Sequence, residues 1–367
     1  MNEALSSMMT FCKLSQVKSI SARSVVTTVA VILCMTISSS FATAEEMIRV
    51  GIIGLDTSHA PAFAKVMNDP ENAAHVPGCR VVAAYPKGSP DIETSTSRIP
   101  LYTQQFRDMD IEIVDSIDEL LTRVDAVLLE TNDGRPHLEQ VRPVLAAGKP
   151  VFIDKPIAGS LSDAVSILKE AKEAGVPIFS SSSLRYLKNG QEVRNGSIGE
   201  VTGADTYSPA SLESTHPDLF WYGIHGVEAL FTVLGTGCEE VVRMKTEDFD
   251  VVVGTWDDGR IGSFRGLRRG ERGYGGTAFG TKGTQVLGPY QGYGPLVVEI
   301  VEFFQTGVPP VSARETIEIY AFMEAADESI RRNGKPVRID EVLRLAGWSD
   351  EDFPEESAGT GDSSLDK

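Results

Sequence analysis

From Met47 to about Ser183, short apolar runs alternate with stretches of helical period. The runs Ile48–Ile53, Val81–Tyr85, Ile111–Val114, Ala126–Leu129, Val151–Ile153 and Ile178–Ser180 are mostly apolar, as strands buried on both faces are. Between them the spacing predicts helices near Ser58–Met67, Ile117–Arg123, Pro136–Ala146 and Leu161–Ala174. The last has a clear start: Ser160 is an N-cap, Asp163 sits three residues on, and Leu161, Ala164, Leu168 and Ala171 share a face. Such alternation predicts an α/β chain with a doubly wound parallel sheet, a Rossmann-type domain at about 47–183.

The pattern changes after Arg185. Strand-like segments follow one another at Val201–Tyr207, Glu240–Lys245, Val251–Trp256, Ile261–Gly266 and Gly276–Leu287. Asp257-Asp258-Gly259-Arg260 reads as the turn of a hairpin. One helix, His225–Leu234, interrupts the series and two others close it. Ser312 with Glu315 forms a capping box that opens the last one, which runs to Asn333-Gly334. The expectation is a C-terminal α+β domain at 184–345 with a mostly antiparallel open sheet. From Asp350 onward, acidic residues mixed with Gly and Ser predict a disordered tail, 350–367.

The first 44 residues stand apart. Lys13, Lys18 and Arg23 precede an uncharged run from Val25 to Ile37, followed by Ser38-Ser39-Ser40 and Ala42-Thr43-Ala44. That is the anatomy of a signal peptide cleaved near Ala44, and its apolar run is too short to span a bilayer. The expected product is exported, periplasmic or extracellular, with no membrane attachment in its mature form. A length of 367 residues suits two domains, and 41% hydrophobic with 23% charged residues is a globular composition. The net charge of −18 argues against nucleic acid or an anionic membrane as partner. Beyond the leader only Cys79 and Cys238 remain, enough for one disulfide and too few for a cysteine metal site.

Candidate chemistry gathers at the strand ends. Gly51-Ile52-Ile53-Gly54-Leu55-Asp56-Thr57-Ser58-His59 stands at the first strand-to-helix turn, where a dinucleotide fold keeps G-x-G-x-x-G. Counting from Gly54 puts Asp56 and His59 on the second and third glycine positions; counting from Gly51 puts Ile53 and Asp56 there. Asp56 adds bulk and a repelling charge where a pyrophosphate approaches. Asp56, Thr57 and Ser58 can still cap the helix and leave its amides free for an anion. The second strand ends Ala84-Tyr85-Pro86-Lys87-Gly88-Ser89, without the acid that holds an adenosine ribose. Lys87 and Ser89 suit a 2′-phosphate or an ordinary surface turn. Lys155, in Gly148-Lys149-Pro150-Val151-Phe152-Ile153-Asp154-Lys155-Pro156, ends a buried strand where open α/β sheets bind ligands. There it can donate to a substrate hydroxyl or exchange a proton with it.

Glu130-Thr131-Asn132 at a strand end, His137 opening a helix, and the run from Gly148 to Pro156 together resemble the glucose–fructose oxidoreductase / inositol dehydrogenase / rhizopine-catabolism (Gfo/Idh/MocA) family. Its hallmark is G-K-H-V…E-K-P, with Asp154 standing for the Glu. Leu184-Arg185-Tyr186 resembles the family's Arg-Phe pair, and Tyr222-Gly223-Ile224-His225-Gly226-Val227-Glu228 resembles its D-x-G-x-H-x-x-D segment. The similarity covers about residues 48–340. It implies a bound NAD or NADP near Gly54, Asp56, Thr57, Ser58, Tyr85, Thr131, Asn132, His137, Asp154 and Arg185. It places catalysis on Lys155 and His225, facing the nicotinamide and the sugar carbon. It also implies a small carbohydrate or polyol partner, and homo-oligomers built on the open sheet face. The family's Asp four residues before the His is Trp221 here, which with Tyr222 offers a surface to a sugar ring. Glu228, one turn beyond His225, suits a supporting role. His216-Pro217-Asp218 and His225-x-x-Glu228 match no metal motif, and no metal site is expected. The function expected is an exported NAD(P)-dependent oxidoreductase acting on a sugar or cyclitol hydroxyl. The alternative, favoured by Asp56 and Trp221, is a carbohydrate-binding pseudo-enzyme of the same fold.

Overall fold

A computed structural model describes residues 47–349, 351 and 353. The expected signal peptide and most of the expected tail lie outside the described residues. Phe353, within that tail, stacks on Trp348 at 4.5 Å between ring centres, and Lys172 Nζ lies 4.9 Å over its ring. Phe353 is therefore packed.

The chain opens with β1 (Ile48–Ile53), α1 (His59–Asn68), β2 (Cys79–Tyr85), α2 (Glu93–Asp108), β3 (Glu112–Ile113) and α3 (Ile117–Leu121). It continues with β4 (Ala126–Leu129), α4 (His137–Ala146), β5 (Val151–Ile153), α5 (Leu161–Ala174) and β6 (Ile178–Ser180). These six strands form one parallel sheet in the order β3-β2-β1-β4-β5-β6. Chain direction across the sheet reverses between β1 and β4, and the crevice beyond that point is where such sheets bind ligands. β4 and β5 are buried throughout, which is why their sequences are apolar at every position. The expected cap of α5 is present, with Ser160 accepting from the Asp163 amide.

The apolar pattern does not reveal α2. It contains Pro100, and only Ser95, Thr103 and Phe106 of its sixteen residues are buried, so no apolar stripe marks it.

Past a 3₁₀ turn at Ser183–Tyr186 come α6 (Gly190–Arg194), β7 (Val201–Pro209), α7 (Asp218–Trp221) and α8 (Ile224–Leu234). Then follow β8 (Cys238–Lys245), β9 (Phe249–Trp256), β10 (Ile261–Leu267), β11 (Gly275–Gly280), β12 (Gly283–Leu287), α9 (Gly294–Thr306), α10 (Ala313–Arg331), β13 (Val337–Arg338) and α11 (Ile339–Leu345). The second sheet runs β12-β11-β7-β10-β9-β8-β13, with every pair antiparallel except β7 with β10. The single strand expected at Gly276–Leu287 is instead the hairpin β11–β12, which turns at Thr281-Lys282. Helices α8 and α10 pack against this sheet, and Ser312 caps α10 by accepting from the Glu315 amide. Helix α9 returns to α1, and its Leu296, Val297 and Ile300 join the core under β1. Cys79 and Cys238 are free and buried, so the conceivable disulfide is not formed. Burial pushes the Cys79 thiol up to about 12.

Candidate active site

Three strand ends meet at the switch point. Gly54 leaves β1 at φ 95°, and a Cβ there would stand 2.4 Å from the Thr131 amide nitrogen, so only glycine allows β1 and the end of β4 to approach this closely. Asp56 follows and is wholly buried. It does not cap α1. Its Oδ1 accepts from the Asn132 amide at 2.9 Å and its Oδ2 from Ser95 Oγ at 2.7 Å, which ties the β1 turn to the β4 loop and α2. Burial raises its pKa, partly offset by these two donors. Ser58 makes no side-chain cap either, and Thr57 Oγ1 accepts from the His59 amide.

His59 is the first residue of α1. Its Nδ1 straddles the Asp154 carboxylate at 3.0 and 2.9 Å from the two oxygens. Lys155 Nζ lies 3.4 Å from Asp154 Oδ2, and both residues are buried. Burial opposes ionisation of Asp154, but His59 and Lys155 outweigh it and hold the carboxyl below its usual range. Glu130 ends β4 beside this pair. It is fully buried, neither oxygen has a hydrogen-bond partner, and burial with the nearby Asp154 charge drives its pKa well up.

The second domain supplies the other wall. His225, in the first turn of α8, is buried, and its Nδ1 lies 2.6 Å from Ser182 Oγ. That oxygen also accepts from the Leu184 amide at 3.1 Å, which fixes the serine against the ring. Burial and the neighbouring Lys155 charge hold His225 well below its usual pKa, so the ring is neutral at pH 7. Tyr222 packs edge-on against His225 at 4.9 Å, and its hydroxyl meets that of Tyr274 at 3.1 Å. Tyr274, Tyr290 and Tyr293 continue in ring contact, and Tyr293 reaches His59 at 4.6 Å. Half-buried tyrosines thus lead from His225 to His59, with Lys155 close enough to perturb both histidines and Tyr293. Rings with hydroxyl tips suit a polyhydroxy ligand.

Several expected site residues serve the scaffold instead. His137 is wholly buried, with its two ring nitrogens against the carbonyls of Thr131 and Ile157 at 2.8 and 3.2 Å. Thr131 is buried and donates to Gln140 Oε1 at 2.9 Å. Tyr85 supports the turn through its carbonyl, which accepts from the Gly54 amide. Arg185 is buried and paired with Glu228 at 2.8 Å and Glu315 at 2.7 Å. Glu228 also accepts from Ser181 Oγ and the Ser182 amide, and so fixes the serine that holds His225. Trp221 packs on His216, whose Nε2 lies 3.1 Å from Asp133 across the crevice. Ser89 is turned inward and donates to Asp133, so it is not poised for a 2′-phosphate. Of the arginines near Tyr274, Arg268 pairs with the buried Asp250 and Arg269 with Asp248.

The fold implies a dinucleotide at this turn. A diphosphate customarily lies against the second glycine and the helix N-terminus. Here the Asp56 carboxyl fills that place with both oxygens engaged, and Glu130 and Asp154 add two more carboxyl groups at the same crevice. These residues do not fit a diphosphate in its customary position.

Residues 48–182 match the family model described as "Oxidoreductase family, NAD-binding Rossmann fold", GFO_IDH_MocA. The chain is 35% identical over 93 residues to inositol 2-dehydrogenase of Paracoccus denitrificans, covering 25% of this chain and 26% of that protein. It is 34% identical over 105 residues to 1,5-anhydro-D-fructose reductase of Ensifer adhaerens, covering 27% and 31%. The chain thus spans about a quarter to a third of the length of these curated relatives. The crystal structure of myo-inositol dehydrogenase from Lactobacillus casei in complex with NAD(H) and myo-inositol superposes with a TM-score of 0.63 at 17% identity, covering 80% of this chain and 96% of that one. That likeness is one of fold, and it extends over both domains. Residues 48–182, the parallel-sheet part of the chain, are thus similar to the Gfo/Idh/MocA oxidoreductase family.

Proposed function

We propose that the chain is an exported NAD(P)-dependent oxidoreductase acting on a sugar or cyclitol hydroxyl at Lys155 and His225, where a nicotinamide, its diphosphate held away from the customary position, would accept the hydride. The observation that carries this reading is that the two domains bring these residues into one tyrosine-lined site. Lys155 exchanges the proton of a substrate hydroxyl, and Asp154 and His59 fix the position of its ammonium group. His225, neutral and oriented by Ser182, donates from its other ring nitrogen, Nε2, to the same oxygen and strengthens its grip as charge develops there. Tyr222 and Tyr274 offer hydroxyls to the remaining ring substituents. The matches to inositol 2-dehydrogenase and anhydrofructose reductase support a cyclitol or sugar as substrate.

A second reading is favoured by one observation, the Asp56 carboxyl lodged where a diphosphate would lie. On that reading the chain binds carbohydrate without redox turnover. Export is supported by the basic, apolar and small-residue order of residues 13–44. A homo-oligomer is supported by exposed apolar side chains on the second sheet, among them Met244, Ile261, Phe279 and Val286.

One experiment separates the readings. The mature chain is purified from its native compartment and denatured, and released nicotinamide is sought by absorbance and mass spectrometry. Calorimetric titrations follow with NAD(H), NADP(H), myo-inositol and aldoses. Stoichiometric or titratable nucleotide with a bound cyclitol supports the oxidoreductase. Carbohydrate binding without any nucleotide leaves the binding protein, and no carbohydrate binding overturns both.

A further inference from the structure

We propose that His59, Glu130 and Asp154 form a binding site for one divalent transition-metal ion at the floor of the Lys155 crevice. The inference holds whichever reading of the crevice is right, because it rests on the cluster itself.

The ligand atoms of these three residues lie within 4.8 Å of one another, and all three residues are buried. Metal–ligand bonds of about 2.1 Å set two ligands at most about 4.2 Å apart, so the shell closes with shifts of about half an ångström. The residues come from the start of α1 and the ends of β4 and β5. These are rigid elements, which hold a site more precisely than loops do. His59 is further held by ring contacts with Phe63 and Tyr293.

Glu130 is the independent pointer to a ligand. None of it is exposed, and both of its oxygens lack a hydrogen-bond partner while they face a second carboxylate. A buried carboxylate without a partner is costly, and a like charge beside it worsens the balance. Lys155 contacts Asp154 and brings one positive charge for two carboxylates. A dication balances the pair, and one imidazole with two carboxylates suits Mn²⁺, Fe²⁺, Co²⁺ or Zn²⁺. Binding replaces the His59–Asp154 hydrogen bond with two bonds to the ion. Three protein ligands also leave a position for water or a substrate hydroxyl, as open metal sites do.

The full mature chain is stripped with a chelator and titrated separately with MnCl₂ and ZnSO₄, followed by calorimetry, Mn²⁺ electron paramagnetic resonance and thermal melting. The expected result is one tight ion per chain and a melting temperature that rises with the metal. Glu130→Gln keeps the shape of the side chain and should weaken binding at least a hundredfold, with no metal-dependent rise in melting. His59→Gln gives the same readout should the first variant fail to fold. Absence of a stoichiometric site, or equal affinity in a folded variant, overturns the assignment.

Discussion

The Asn132 amide donates to Asp56 Oδ1 at 2.9 Å, so the loop after β4 is bonded to a side chain standing on the second glycine position of the β1 turn. A carboxylate thus stands where this fold normally keeps a glycine beside a diphosphate. Asp56→Gly removes that side chain and its charge. The variant should bind NAD(H) at least tenfold more tightly by calorimetry and melt at a lower temperature, because Asn132 and Ser95 lose their partner. Unchanged nucleotide affinity would show that Asp56 is not the obstacle.

Lys155 and His225 have separable duties. Lys155→Met should lower turnover of a bound cyclitol or aldose about 10²- to 10⁴-fold, the range for loss of a proton-transfer group, and change its dissociation constant less than tenfold. Turnover that survives the change removes Lys155 from the chemistry.

Ser182 positions His225 through the 2.6 Å contact to Nδ1. Ser182→Ala should cut kcat about tenfold with KM within twofold, and cost about 1 kcal/mol of stability through the lost acceptor for the Leu184 amide. Unchanged kcat in the folded variant would show that Ser182 only supports the fold.

Burial first, and then the Lys155 charge, depress the His225 pKa below its ordinary 6.5, while Asp154 pulls weakly the other way and His59 adds to the depression. Below pH 6.5 the unfolded chain therefore takes up a proton that folded His225 refuses, and stability falls as pH drops from 6.5 towards the folded value. Urea unfolding at pH 7.0 and 5.5 should show a loss from this group of up to about 1.4 kcal/mol per pH unit, absent in His225→Gln. The same slope in both proteins would mean that His225 does not titrate in this way.

Arg243 is wholly buried on β8 and pairs with Asp250 at 2.8 Å, with Asp218 at 3.0 Å and with Asp327. Burial still lifts the Asp327 carboxyl to about 6. Arg243→Met takes the buried cation from Asp327 and leaves Asp250 to Arg268 and Asp218 to Lys245, so urea unfolding should show a loss of about 3–5 kcal/mol. A loss below about 1 kcal/mol would mean that the network relaxes into water.

The β–α alternation, the parallel sheet, the mainly antiparallel second sheet and the caps at Ser160 and Ser312 were legible in the sequence. Each depends on local periodicity or on residues three apart, which a linear chain displays directly. Lys155 was legible for the same reason, because a charge ending an apolar strand marks a sheet edge. The helix at Glu93–Asp108 was hidden because its buried residues are few and only Phe106 among them is apolar. Tertiary structure alone decided the rest of the site. His59, Glu130 and Asp154 are far apart in the chain and meet because three strands end at one switch point. Ser182 reaches His225, and Tyr290 and Tyr293 join Tyr222 and Tyr274, across separate elements. Sequence read Asp56 as an obstacle to a pyrophosphate that could still cap the helix, and packing showed its carboxyl bonded to Asn132 and Ser95 and not to the helix start. Periodicity determines which elements form, whereas the partner of a buried polar atom is set by which elements stand beside it.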